Sequence, residues 1–301
     1  MSASSGDPTI LKTTTPLCSL ICHRDIAQSI TCLGSLTNAN VAGLQLVFHE
    51  DGSLTGEDAD RLRVAFPDCR IVWRRDADQQ MAETLRHHPR CQAFRAGNVF
   101  ALKLLDTPLL GDGERCHYCD GDILFLRPST GLFEIPDPLD AVFMMDAIEP
   151  VAWTFKELWQ RKLAFVGRVN AGMYSVRRRV LDLDKLEWFL GFEMAPHLRH
   201  VQEQTAWAWL ASGFTAAHWD PAVVRVVSND FPVTASLAAA HFIGMYRSQL
   251  PAGLALLRET RSEPADPVNF ALAGRFTWSS KFGLVARRLA RRLGHRPAGY
   301  S

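Results

Sequence analysis

The chain has 301 residues, 47% of them hydrophobic, enough for one large α/β domain or two small ones burying about 75% of the unfolded surface. With 33 basic against 32 acidic residues the net charge is +1, so no global field draws nucleic acid or acidic partners, and any basic site must be local. Residues 1–15 are polar without a signal-like apolar segment, no run of 18 apolar residues occurs, and the seven cysteines are an odd set mostly in apolar runs. These features predict a cytoplasmic protein with reduced, buried thiols and no membrane span.

In chain order, Leu17 to Cys22 predicts a first strand, and His23-Arg24-Asp25 leads into a helical pattern with Ile26, Ile30, Leu33 and Leu36 on one side. Leu44 to Phe48 reads as the second strand, closed by the polar turn His49 to Ser53, where a ligand-facing carboxyl end should open. Asp51 in that turn either reaches a nucleotide or stabilises the turn. Thr55 and Asp58 form a capping box for a helix through Leu62 and Phe66, stopped by Pro67. Arg70 to Trp73 is a third strand, and Arg74 to Asp78 caps the next helix. A helix between Phe94 and Leu105, carrying Lys103, is expected beside the strand that follows. Repeated strand-helix units imply a mostly parallel central sheet with helices on both faces.

That next strand holds the most informative stretch, Cys116 to Leu126, in which Asp120-Gly121-Asp122 interrupts an apolar run. Asp-Gly is a common hairpin signal, so a surface turn is one reading. The other is a site where both acids turn toward a divalent ion at a strand's end, and the apolar flanks, with Pro128 closing the run, favour it. Cys116 and Cys119 have the gap of a zinc knuckle, but strand alternation points them to opposite faces and no second pair with that gap exists.

Farther on, Asp140 to Met145 predicts a strand, Trp153 to Phe165 a helix, Asn170 to Val176 a strand entered by a tight small-residue turn, and Leu183 to Phe192 an amphipathic helix. His200 to Leu210 opens polar and continues apolar, placing Glu203 and Gln204 in the inward-facing first turn of a helix. An Asp-Pro turn at 220 and 221 precedes a strand, Val223 to Val227. Trp153, Trp159, Trp207 and Trp209 are either a sugar-stacking surface or core. From Trp278 a basic amphipathic pattern sets Phe282, Val285, Ala286, Leu289 and Leu293 against Lys281, Arg287, Arg288, Arg291, Arg292 and Arg296. It suits either contact with an anionic membrane surface or docking on the catalytic body. The expected division is a flexible tail 1–15, a catalytic domain 16–250, and an extension 251–301 with a helix at about 278–296.

Four motifs in this order resemble the nucleotide-sugar-dependent glycosyltransferases of the GT-A fold, nearest to the glycogenin-like and bacterial lipopolysaccharide enzymes. They are Asp120-Gly121-Asp122 for Asp-x-Asp, Asn170-Ala171-Gly172 before a later strand, Glu203-Gln204 for the Asp-Gln pair, and His241-Phe242-Ile243-Gly244 near the end. The family's Lys-Pro-Trp is replaced by Met245-Tyr246-Arg247, and its Asp-Gln aspartate by Glu203. The resemblance implies an α/β fold with a Rossmann-like sheet and a metal set of Asp120, Asp122 and His241 holding Mn²⁺ or Mg²⁺, with Asp120 also facing a ribose. It implies a nucleotide-sugar donor, UDP-sugar foremost, contacted by Asp120, Asn170 and Gly172; beside it, Lys103 and Arg247 either balance the phosphates or lie on a solvated face, and Asp51 is a further candidate contact. Glu203 and Gln204 would lie at the reacting centre, and a hydroxyl acceptor would complete the reaction. The expected location is the cytoplasm, with peripheral contact on the inner face of the membrane through 278–296. Two other readings compete: a glycosyltransferase-like binding protein without turnover, and a Mg²⁺-dependent phosphohydrolase. The second is disfavoured because three strand-helix units precede the acidic motif.

Overall fold

A computed structural model of the chain describes residues 14–37, 43–149, 151–194, 196–260, 263–264, 267–277, 279 and 283. The expected tail up to residue 13 lies outside them, as does the basic helix of 278–296 apart from residues 279 and 283.

Strands β1 (Thr15–Ile21), β2 (Leu44–Glu50) and β3 (Arg70–Val72) are joined through helices α1 (Ile26–Gly34) and α2 (Gly56–Ala65). Helices α3 (Arg74–Thr84), α4 (Pro89–Gly97) and α5 (Ala101–Leu109) lead to β4 (Arg115–Cys119) and β5 (Ile123–Phe125). The second half contains β6 (Ala141–Met145), α6 (Phe155–Arg161), β7 (Ala164–Val166), β8 (Val169–Arg177), α7 (Leu183–Phe189) and α8 (Gln202–Leu210). It closes with β9 (Ala216–Trp219), β10 (Val224–Val226), β11 (Ala239–His241), α9 (Leu250–Thr260), β12 (Phe270–Leu272) and β13 (Arg275–Thr277).

The main sheet has the order β12-β9-β6-β8-β4-β1-β2-β3. β1 pairs in parallel with β2 and β4, β2 with β3, and β6 with β9, whereas β8 runs against both β4 and β6, and β12 against β9. The sheet is thus mostly parallel, as the sequence implied. Alternation along its strands fills two cores. Cys18, Val47, Tyr118, Phe143 and Tyr174 face the layer under α4, α5, α7 and α8, while Leu17, Phe48, Cys119, Val142 and Met173 face α1 and α2. Cys116 and Cys119 consequently lie in different layers. All seven cysteines are free thiols.

Several boundaries differ from the sequence expectation. β2 does not end at Phe48: His49 and Glu50 continue it, paired with Leu20 and Ile21, and both are buried. The helix expected between Phe94 and Leu105 is two helices, broken where the Asn98 side chain accepts the Phe100 N–H at 3.1 Å. Trp153 to Phe165 yields only the short α6, stopped by Lys162 at φ 51°, before β7 begins. Asn170-Ala171-Gly172 is no turn but lies inside β8, where the register against β6 jumps from Tyr174 to Asn170. Such a bulge re-aims side chains at a sheet's functional end. Arg74 to Asp78 supplies no side-chain cap to α3; Glu50 Oε1 instead accepts the Arg74 N–H at 2.6 Å. The Thr55–Asp58 capping box forms as expected.

The segment after residue 250 packs on the elements before it. Leu250, Leu254, Leu256 and Leu257 of α9 pack on a third core around Leu124 and Phe242, β12 edges the main sheet, and β13 pairs with β7. Trp153 and Trp207 are core residues, and Trp209 stacks on Phe189 and Trp188 at α7, so three of the four tryptophans considered for sugar stacking serve packing.

Candidate active site

Three chain segments meet at the carboxyl end of β4. The Asp120–Asp122 turn leaves the main sheet for β5, which joins a small sheet with β11 and β10. The Asp120 N–H donates to the Gly172 carbonyl at 2.7 Å, tying the turn to β8, and the Phe242 N–H donates to the Asp122 carbonyl at 3.0 Å, tying it to β11. Backbone hydrogen bonds therefore fix both acids before any side-chain contact is considered. Gly121 is required by a close approach: a Cβ there would lie 2.3 Å from Ser29 Oγ of α1. The glycine thus lets α1 pack against the turn.

Asp120, Asp122 and His241 bring one ligand atom each to within 4.8 Å of one another. His241 Nε2 lies 3.0 Å from Asp122 Oδ1 and 3.7 Å from Asp120 Oδ2. Lys103, almost fully buried on α5, donates to Asp120 Oδ2 at 3.0 Å and lies 5.0 Å from the Tyr118 ring centroid, while the Tyr118 hydroxyl donates to Asp120 Oδ1 at 2.6 Å. Arg247 donates to Asp122 Oδ2 from Nε at 3.1 Å and Nη2 at 2.9 Å, and to Asp25 Oδ2 from Nη1 at 3.2 Å. Burial alone would raise the Asp122 carboxyl, but the facing His241 ring and Arg247 guanidinium outweigh it and hold the group well below the usual carboxylate range. Burial works against the Lys103 ammonium too, yet Asp120 and Glu203 keep it charged, above the usual lysine value.

Glu203, in the first turn of α8 and 3% exposed, behaves in the opposite way. Burial pushes its carboxyl up to about 8, with Lys103 opposing and Asp120 adding to the rise. Among the described residues its Oε1 has no hydrogen-bond partner. A neutral buried carboxylic acid can donate a proton in a hydrogen bond as well as accept one. Gln204 beside it is half-buried.

Behind the acids, Asn170 receives His241 Nδ1 at 3.1 Å and the Gly172 N–H at 3.0 Å on its Oδ1, and donates from Nδ2 to Asp146 Oδ2 at 3.0 Å. Gly172 is indispensable to this packing, since a Cβ there would sit 2.0 Å from His241 Cε1. Asp51 stands apart from the cluster: its carboxylate accepts the Ser53 N–H and hydroxyl, at 3.0 and 2.5 Å. Near it, a cleft of about 520 Å³ at the ends of β2 and β3 is lined by Glu50, Gly52, Trp73, Arg74, Arg75 and Asp78.

The structure thus gathers Lys103, Asp120, Asp122, Asn170, Gly172, His241 and Arg247 around one point, with Glu203 within electrostatic reach. Asp25, Tyr118 and Asp146 were not singled out by the sequence reading. Asp146 carried a usable signal, an acid at the end of a buried strand, the same signal that marked Asp120. Two carboxylates from the turn between β4 and β5 and an imidazole from the end of β11 fit a divalent ion that takes oxygen ligands and tolerates one nitrogen.

No family model matches the chain, and no curated protein matches its sequence. Solved structures do resemble it. The LgtC galactosyltransferase, in complex with donor and acceptor sugar analogues, is 12% identical, with 83% of this chain and 98% of that one covered at a TM-score of 0.50. Mouse xyloside xylosyltransferase 1 is 12% identical, with 76% of this chain and 97% of that one covered at a TM-score of 0.51. Together with the mostly parallel sheet, the reversed β8 and the acidic turn after β4, these likenesses show that the chain has the GT-A glycosyltransferase fold.

Proposed function

We propose that the protein transfers a sugar from a nucleotide-diphosphate sugar, a UDP-sugar in the first place, to a hydroxyl acceptor. The observation that carries this reading is the meeting of Asp120, Asp122 and His241 with two cations, Lys103 and Arg247, at the ligand-binding end of the sheet. Asp120, Asp122 and His241 would hold Mn²⁺ or Mg²⁺. When bound, that ion offsets charge gathering on the departing diphosphate and orients it.

The chain's own residues do the rest. Lys103 and Arg247 bind phosphate oxygens, Lys103 as a buried point charge and Arg247 as a planar fork already anchored by Asp25. Preorganised cations of this kind act most strongly where water is excluded. Glu203, neutral around pH 7, donates to or accepts from a sugar hydroxyl, and Gln204 presents an amide at the same helix end. The cleft at Trp73 and Arg74 offers an aromatic face and a cation for the nucleoside, and Asp51 stands at its rim through the Arg74 contact with its carbonyl. Among the described residues no helix is long and apolar enough to cross a membrane. The basic sequence of 278–296 adds peripheral attachment to an anionic surface, which vesicle sedimentation with and without that segment tests.

The direct test titrates the protein with UDP, GDP and their common sugar conjugates, with and without Mn²⁺, following the melting temperature, and then assays transfer. A stabilisation that needs both nucleotide and ion supports the reading, and the absence of any ion-dependent shift sinks it.

A further inference from the structure

The orientation of the Asn170 amide is fixed twice over. Its Oδ1 accepts the Gly172 N–H at 3.0 Å, and its Nδ2 faces a carboxylate, Asp146 Oδ2, at 3.0 Å. Reversing the amide would set an NH₂ against a backbone N–H and a carbonyl oxygen against a carboxylate. The atom 3.1 Å from His241 Nδ1 is therefore an acceptor, and Nδ1 must carry the proton. Asp146 is itself held, because its Oδ1 accepts the Ile148 N–H at 3.1 Å, and it is buried along with Asn170 and His241. The ring lies directly against the glycine at 172, where a Cβ would sit 2.0 Å from its Cε1.

We infer that Asp146, acting through Asn170, is a positioning residue that sets His241 in the Nδ1–H form and aims its Nε2 at the pocket between Asp120 and Asp122. Nε2 is thereby left as the side of the ring that takes a cation or a second proton, 3.0 Å from Asp122 Oδ1. Outer partners that fix the tautomer of a ligating histidine raise its affinity for an ion. The bearing on ion binding rests on the ion-site reading above, whereas the tautomer assignment does not.

The test has two arms. In the first, ¹⁵N-labelled histidine in the ion-free protein is followed by NMR at alkaline pH, where the ring is neutral. The wild type should show Nδ1–H, and Asn170→Leu should shift the ring toward Nε2–H. Asn170→Asp sets two carboxylates face to face. Adding Asp146→Asn restores one donor and one acceptor pair, so the double variant should return to Nδ1–H. A wild type dominated by Nε2–H, or an Asn170→Leu variant that keeps the wild-type Nδ1–H form, overturns the assignment. The second arm measures Mn²⁺ binding by electron paramagnetic resonance. Affinity should fall about 10- to 100-fold in Asn170→Leu and Asn170→Asp and recover in the double variant. Loss without recovery overturns the positioning role. A wild type that binds no Mn²⁺ overturns the link to an ion, while the NMR arm still decides the tautomer.

Discussion

Two buried clusters of charge lie on α5 and differ in how completely they are closed. At one, Arg95 donates to the two oxygens of Asp106, each at 2.7 Å, and to Asp78 at 2.5 Å. Burial pushes the Asp106 carboxyl up, but the bidentate contact with an always-charged guanidinium keeps it ionised. Three residues earlier on the same helix, Lys103 enters the other cluster, where Asp120, Asp122, Asp25 and Glu203 meet Lys103, Arg247, Arg24 and His241, and among the described residues one Glu203 oxygen is unpartnered. A closed ion pair holds elements together. A buried cluster with an orphaned acid oxygen can take a further partner, and that open valence distinguishes a site from a strut.

Exchanging the two kinds of damage tests the distinction most sharply. Asp106→Ala leaves the Arg95 guanidinium without its main buried partner and should cost about 3–5 kcal/mol in urea unfolding, with Mn²⁺ affinity of the folded fraction unchanged. Asp122→Ala should invert the pattern. Ion-dependent donor binding disappears and transfer falls roughly 10³-fold or more, while the unfolding midpoint moves far less than in Asp106→Ala. Unchanged Mn²⁺-dependent binding in Asp122→Ala would sink the site assignment.

The sequence made much of this visible, and the reasons are local. Asp120 and Asp122 stood out because acids rarely interrupt so apolar a run, and the Thr55–Asp58 capping box lies within four consecutive residues. What escaped was settled by distance along the chain. Asp25 meets Arg247 across 222 positions, and Asn170 reaches His241 across 71, so neither contact leaves a mark in nearby sequence. Asn170-Ala171-Gly172 read as a turn because its composition is that of turns, yet each polar feature answers a partner in three dimensions: Asn170 joins Asp146 to His241, and Gly172 admits the imidazole. The break between α4 and α5 is legible in Gly97-Asn98, set within an apolar periodicity that reads through it. His49 and Glu50 were assigned to a turn on polarity alone, although Glu50 uses both oxygens to hold backbone N–H groups of Gly52 and Arg74.

Glu203 offers a test by pH. Its carboxyl is raised in the folded protein from the ordinary 4.5 to about 8, so between those values the folded state binds more protons than the unfolded one. Stability of the donor-free protein should therefore decline as pH rises through that window and level off above it. Glu203→Gln removes the titrating group, so its melting temperature relative to wild type should be several degrees higher at pH 9 than at pH 5. A difference that does not change with pH would mean that Glu203 is ionised in the folded protein, and with it the hydrogen-bond donor role fails.

The smallest expected effect separates Arg247's two anchors. Its contact with Asp122 lies at the buried centre, whereas Asp25 holds Nη1 from a partly exposed position, with 36% and 21% of the two side chains accessible. Exposed pairs of this kind contribute about 0.2–1 kcal/mol, so Asp25→Asn should weaken donor binding by no more than about fivefold, and less at high salt. Arg247→Ala removes the phosphate contact itself and should weaken binding well beyond that. If the Asp25 variant is as damaging as the Arg247 variant, Asp25 touches the donor directly, and the boundary of the site moves outward to the loop after β1.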